Sequence, residues 1–474
     1  MPVSPLFTDF YELTMAQGYL RHGHNPDVVF DMFFRRHPFS GGYTIFAGLA
    51  DLLADLEGLR FSDDDLAYLE EDGSFDREFL TYLRDFRFSG DLFAFREGSL
   101  VHPGEPLIRV HAPLIEAQLI ESLVLNVINF QSLIATKAAR VYAASRYGKI
   151  LEFGMRRAQG YDGALRASKA AYLGGAAGTS NTLAGKEFAI PVSGTMAHSW
   201  VMSFDSEAEA FRRYAELYPD AAILLIDTYD TLGSGLPNAI EVGRELQKRG
   251  KRLGVRLDSG DLAYLSKQVR SGLDHAGLED AIIAVSGDLN EQIIAQLIDE
   301  GSPIDLWGVG TQLATGHPDA SLTGVYKLAA RRQADGFSPS MKVSDNPAKM
   351  TNPGIKQVYR LFDGNGSPLR DMIALINEET PRGEITLYHP TIHYKHRVTS
   401  DYDRVEEQLQ PVMQEGRICS PAQPLQAQRE WVISQLKSLD ESFLRIINPH
   451  EYKISLSREL RDLKFRMIDE AGSR

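Results

Sequence analysis

The sequence predicts an α/β fold: a parallel strand-and-helix domain of barrel type, preceded by a smaller β-rich domain and followed by a C-terminal helical extension. Three observations carry this reading. From about Lys149 to Ala329, short apolar, β-branched runs alternate with longer amphipathic segments, the pattern of strands and covering helices in a parallel sheet. The polar residues that close three of those runs, Asp227, Asp258 and Asp288, recur at spacings of 31 and 30 residues, one strand-helix unit each. The first 110 residues instead carry FDMFFRR, GDLFAFREG and SLVHPGEPLIRVHAP, short runs broken by glycine and proline, as in strands and turns.

In chain order, residues 1–112 are expected to form the N-terminal β-rich domain and residues 113–148 a connecting helix, because PLIEAQLIESLVLNVINFQSLIATKAARVYAAS has helical apolar spacing. The catalytic barrel is expected over 149–360. Within it AAILLID leads into PNAIEVGRELQKRG, with Pro237 suited to a first helical turn and Gly250 to a C-terminal stop. RLGVRLD, AIIAVSGD and IDLWGVG repeat the theme, and KILEFGMRR and AIPVSGTMAHS read as further strands ending in glycine. Residues 361–474 form the extension, whose last fifty residues read as two amphipathic helices packing beside the N-terminal domain.

Composition narrows the function. With 474 residues, 43% hydrophobic and 24% charged, the chain can bury two cores. A net charge of −14 argues against a general polyanion-binding surface, so any phosphate must be met locally. The single cysteine, Cys419, excludes an intramolecular disulfide framework and a Cys-rich zinc site; it fits a reducing compartment and reads as a small buried apolar residue. The N-terminus has no basic start followed by a long apolar run, and no stretch of membrane-spanning length lacks charges. The expected location is the cytoplasm.

In an α/β barrel the C-terminal strand ends open onto one face, so polar residues there converge although far apart in sequence. Asp227, Asp258, Asp261 and Asp288 occupy such positions. Together they can bind Mg²⁺ or ribose hydroxyls; each singly can also cap the helix that follows. Arg156 and Arg157 follow LEFGM, and alternation points Arg256 inward, where a guanidinium needs an anion or a carboxylate. WGVGTQLATG and SGD would let backbone N–H groups approach phosphate oxygens, or serve only tight turns. The chain has no P-loop. His198, in GTMAHSW, stands on the same rim beside Thr195 and Ser199, where an imidazole can act as base or accept a phosphoryl group. His389, His393 and His396, in LYHPTIHYKHRV, match no metal-ligand spacing and read as a strand-rich surface segment.

Seven motifs, TDFYELTMAQGY, EFGMRRAQGYDG, GTSNTLAG, SGTMAHSW, DTYD, GVRLDSGDL and KMTNPGIKQVYR, run from Thr8 to about Arg360. In combination they resemble the nicotinate phosphoribosyltransferases. The resemblance implies an irregular barrel, a homodimer with its active site completed across the interface, and His198 as a phosphohistidine formed from ATP. It places Tyr11, from the partner subunit, with Phe153 and Arg156 around the pyridine ring and phosphate. Asp227, Arg256 and Asp258 would handle ribose, pyrophosphate and Mg²⁺, and Gly287, Asp288, Gly308, Gly310 and Thr311 would cradle the 5′-phosphate and ribose. Nicotinamide-using relatives carry an aspartate at Asn181; a neutral amide there favours the acid. The implied reaction joins nicotinate to phosphoribosyl pyrophosphate, giving nicotinate mononucleotide and pyrophosphate for NAD biosynthesis. Nicotinamide or quinolinate as substrate, and a non-catalytic barrel that binds a phosphorylated metabolite, are the alternatives.

Overall fold

In the computed structural model, which describes residues 3–344 and 349–472, the alternating segment forms six parallel strands: β1 (Lys149–Glu152), β2 (Gly178–Thr179), β3 (Ile223–Leu225), β4 (Gly254–Leu257), β5 (Ile282–Val285) and β6 (Leu306–Val309). Their spatial order is β2-β1-β6-β5-β4-β3. The first strand therefore lies beside the last, and the ladder is open only between β2 and β3 among the described residues. Because all six run the same way, their C-terminal ends share one edge. The helices between them bury one stripe each: Leu236–Lys248 covers Leu236, Ala239, Val242, Gly243 and Leu246, a spacing that returns to one side every three or four residues. Pro237 sits in its first turn and Gly250, at φ +68°, just past its end.

These strands belong to a compact unit, Ile134–Ala320. The second unit combines Met1–Leu133 with Ser321–Arg474, so residues 321–360 do not join the barrel segment as the expected boundary had it. The strand Gly324–Gln333 pairs antiparallel with Asp27–Phe34, which also pairs with Ile108–Pro113. That seven-stranded sheet, filled out by Asp91–Ala94, Gly336–Pro339, Gln410–Gln414 and Arg417–Ile418, packs on an extensive core that includes Met32, Phe34, Phe79, Phe95 and Met413. The N-terminal segment is less purely β than its sequence suggests, since it holds four α-helices, Phe10–Arg21, Leu49–Gly58, Asp63–Asp72 and Arg77–Asp85. The connecting helix is two, Leu114–Leu119 and Glu121–Ala144. Together they are the one described segment long and apolar enough to cross a membrane, and 61% of its most apolar stretch is buried, as in a core helix.

The C-terminal extension is not simply helical. Before its helices Leu425–Ser438 and Arg458–Gly472 it contributes Pro368–Leu375, Ile385–Tyr388, His396–Thr399 and Arg404–Glu407 to a second, six-stranded sheet, which Ile454–Leu456 and Lys356–Phe362 complete. Cys419 is exposed, not buried; it follows the two-residue edge strand Arg417–Ile418, which has a partner on one side only. His389 and His396 bracket a hairpin turn in which the His389 ring accepts hydrogen bonds from the Thr391 and Ile392 amides, and no described group of three His, Cys, Asp or Glu side chains is placed to hold a metal.

Candidate active site

Arg256 organises the edge where the parallel strands end. Strand alternation turns its side chain to the face of β4 that meets the Thr195 and Ser286 hydroxyls, leaving it 14% exposed. There its Nε donates to Ser286 Oγ (2.7 Å), one terminal nitrogen to Thr195 Oγ1 (2.7 Å) and the other to Asp258 Oδ1 (2.7 Å). Ser286 in turn donates to the same Asp258 oxygen. Burial works to raise the Asp258 pKa, but the hydrogen bonds from Ser286 and Arg256, with the charges of Arg256 and His198, outweigh it and hold the carboxyl below the ordinary range. Asp258 is therefore an anion with one oxygen saturated and the other turned towards His198 Nε2, 4.0 Å away.

His198 opens the short helix His198–Met202, and its Nδ1 shares a 3.1 Å hydrogen bond with Thr228 Oγ1. This fixes the ring while leaving the other nitrogen accessible, since the side chain is 42% exposed. Asp227, at the end of β3, accepts from the Asp258 amide (3.0 Å) and from Ser259 Oγ (2.6 Å) through Oδ2. Its Oδ1 is buried without a hydrogen-bond partner among the described residues. A buried, unpaired carboxylate oxygen is costly; a cation or a hydroxyl would relieve it.

Phe153 follows β1 and lies with its ring 6.0 Å from the Arg256 guanidinium. The neighbouring strand makes room for it with Gly308, where a Cβ would come within 2.7 Å of that ring. Gly287, at φ +109°, brings the backbone so close that a Cβ would meet the Asp258 carbonyl at 2.8 Å. Gly310 precedes the turn of helix Thr311–Ala314. Asp288, Ser199, Thr311, Arg156 and Arg157 are exposed around this edge. The helix-capping alternative applies to Asp261, which accepts from the Tyr264 amide, but not to Asp227, Asp258 or Asp288; Asn290 caps the helix after Asp288.

The chain matches the sequence profile of the nicotinate phosphoribosyltransferase N-terminal domain over residues 6–129, of the family's central region over 148–323 and of its C-terminal domain over 355–464. It is 43% identical over 473 residues to "Nicotinate phosphoribosyltransferase" of Bacillus subtilis, covering 99% of this chain and 96% of that protein. The chain belongs to the nicotinate phosphoribosyltransferase family. The protein of that name from Homo sapiens is 36% identical over 520 residues, covering 97% and 96% of the two chains. The crystal structure of human nicotinic acid phosphoribosyltransferase superposes with a TM-score of 0.85 at 33% identity, covering 97% of this chain and 99% of that one. A nicotinate-nucleotide pyrophosphorylase from Pyrococcus furiosus shares the fold, with a TM-score of 0.71 at 22% identity over 91% of this chain and 95% of that one.

Two further expected site residues, Asn181 and Tyr11, make contacts of their own. Asn181 is buried and spends its side chain internally: Oδ1 caps the helix Thr182–Phe188 by accepting from the Ala184 amide, and Nδ2 donates to Ser168 Oγ at 3.2 Å. Tyr11 belongs to the other compact unit, exposed on helix Phe10–Arg21. Its hydroxyl is pushed up to about 12 by burial and by Glu121, Glu12 and Asp9. The run AIPVSGTMAHS makes only a single bridge, Thr179 to Val192, instead of a strand.

Several contributors carry no pattern in the sequence. Ser286 and Thr228 are small hydroxyls that periodicity does not mark. Glu152, the last residue of β1, is 1% exposed and accepts from Thr179 Oγ1 (2.5 Å) and Ser168 Oγ (2.9 Å), which ties β1, β2 and the helix Gly160–Leu173 together next to Phe153 in the chain. A charged residue in the apolar run KILEF was the available signal.

Proposed function

We propose that this chain forms nicotinate mononucleotide and pyrophosphate from nicotinate and phosphoribosyl pyrophosphate, and that it couples this synthesis to ATP through phosphorylation of His198. Transfer of the phosphoribosyl group to nicotinate, in NAD biosynthesis, is the activity of its family. The observation that carries the assignment to this edge is the arrangement of Arg256, Asp258 and Asp227: one oriented cation beside two anions, one of which keeps a buried oxygen unpaired. Attack of the pyridine nitrogen on the anomeric carbon breaks the bond to pyrophosphate and builds positive charge on the ribose. Carboxylates fixed in advance stabilise that charge. Arg256, held by Thr195, Ser286 and Asp258, meets the leaving diphosphate in a set orientation. Phe153 offers a face to the pyridine ring, with Arg156 for its carboxylate.

Asp227 and Asp258 fit a Mg²⁺ ion, which proteins commonly hold with one or two carboxylates plus substrate phosphates, and such an ion would neutralise charge on the departing pyrophosphate. The Thr228 contact leaves His198 Nε2 as the atom that takes the γ-phosphoryl group; ADP departs, and hydrolysis of the phosphohistidine returns phosphate. Gly287, Asp288, Gly308, Gly310 and Thr311 supply the 5′-phosphate and ribose subsite. The strand order, with the first strand beside the last, supports an irregular barrel. The exposed side chains of Phe7, Phe10, Tyr11 and Met15 support a homodimer contact at which Tyr11 reaches a partner's ring site, and the enzyme acts in the cytoplasm. Incubation with γ-labelled ATP should yield an acid-labile phosphoprotein that is absent in His198→Ala; label that persists in the variant overturns the phosphohistidine.

A further inference from the structure

A cleft of about 930 Å³ opens in the unit made of the two chain ends, and it shares no residue with the strand-end cluster. Its base is the six-stranded sheet. There Leu387 pairs with Arg397, and Met372 with Ser455; partners in register face the same way, and alternate residues repeat that face. Arg397, Lys453 and Arg370 therefore stand on one face of three strands and their margins. Lys395 joins them from the hairpin turn, and Arg35 and Arg36 line the same cleft.

In a chain of net charge −14, this is a concentration of one sign: six cationic side chains line the cleft, and Glu451 is the one carboxylate among the described lining residues. The Asp401 partner of Arg397 is exposed and 3.5 Å away, too solvated to offset the rest. The crowding is felt locally. Burial and then the charge of Arg397 lower the Arg370 pKa, and burial followed by Lys395 and Lys453 lowers that of His389. The floor is preformed: Tyr452 donates to Asp371 Oδ1 (2.8 Å) and stacks on His102 at 3.9 Å, while Arg360 grips the same Asp371. Like charges held together on a rigid floor raise the energy of the empty cleft, and a multiply charged anion removes that cost.

We propose that this cleft binds a small polyphosphate anion, free or as the phosphate chain of a nucleotide, at a site additional to the substrate site. Guanidinium forks and ammonium groups match phosphate oxygens, and the volume suits a di- or triphosphate.

Calorimetric titration of the full-length protein with inorganic tripolyphosphate, without Mg²⁺, tests this. Two binding events per chain are expected, one weakened at least tenfold by Arg370→Glu with Lys453→Glu and retained in Arg256→Ala. Arg397→Glu, on an exposed edge, gives the same weakening if the double variant does not fold. ATP in place of tripolyphosphate distinguishes the sources: tighter binding assigns a nucleotide, equal binding a free polyphosphate. A single event that Arg256→Ala abolishes, or unchanged binding in the charge-reversed proteins, overturns the proposal.

Discussion

Arg256 is held by three partners at once. Lysine in its place keeps the charge but cannot donate simultaneously to Thr195, Ser286 and Asp258, so Arg256→Lys should lower kcat/KM about 100-fold, roughly 2.7 kcal/mol of transition-state stabilisation, in steady-state assays. Ser286→Ala removes the hydroxyl that joins Arg256 to Asp258; a loss of about tenfold is expected with the thermal midpoint nearly unchanged. Asn181→Asp preserves the helix cap yet sets a second carboxylate facing Ser168, which already serves Glu152. It should cost about 1–3 kcal/mol in denaturant unfolding and raise the KM for nicotinate more than that for nicotinamide; an unchanged KM ratio would remove Asn181 from substrate choice. Asp227, Arg256 and Asp258 were legible because a charge at a strand end or on an inward position breaks an apolar pattern. Ser286 and Thr228 were not, since a hydroxyl residue is at home in turns and strands alike.

At the scale of elements, β1 and β6 are matched by one missing side chain. Gly308→Ala would press a methyl group against the Phe153 ring, so the ring must turn away from its present position. Kinetics should show a higher KM for nicotinate with a smaller change in kcat, and circular dichroism an unaltered fold; a wild-type KM would separate Phe153 from the pyridine site. The long strand-helix repeats were readable because the strands β3 to β6 are apolar apart from Arg256 and the helices between them are amphipathic. The two-residue β2 is too short to leave a periodic trace. The C-terminal strands escaped for another reason: His396–Thr399 and Arg404–Glu407 are mostly exposed, so their sequences lack the alternation that burial of one face imposes.

For the whole molecule, what local pattern cannot convey is which distant segments meet. The pairing of Asp27–Phe34 with Gly324–Gln333 takes residues 321–360 out of the unit their sequence neighbourhood suggests. The unit they join instead holds histidines shielded from water: burial lowers His37 to about 3 and, with Arg109, His111 to about 4. Their unfolded values lie near 6.5, so between about pH 6.5 and those depressed values the unfolded chain binds protons that the folded chain refuses. Stability should therefore rise with pH through this window and be lost as pH falls below about 6.5. The thermal midpoint at pH 5 is expected below that at pH 7, and His37→Asn should narrow the gap; an equal gap would remove His37 as a source. The reaction itself is tested by product analysis with purified protein, phosphoribosyl pyrophosphate and Mg²⁺, supplied in turn with nicotinate, nicotinamide or quinolinate, with and without ATP. Nicotinate mononucleotide and pyrophosphate in equal amounts, formed from nicotinate in preference to the other two and enhanced by ATP, are predicted; no mononucleotide from any of the three would contradict it.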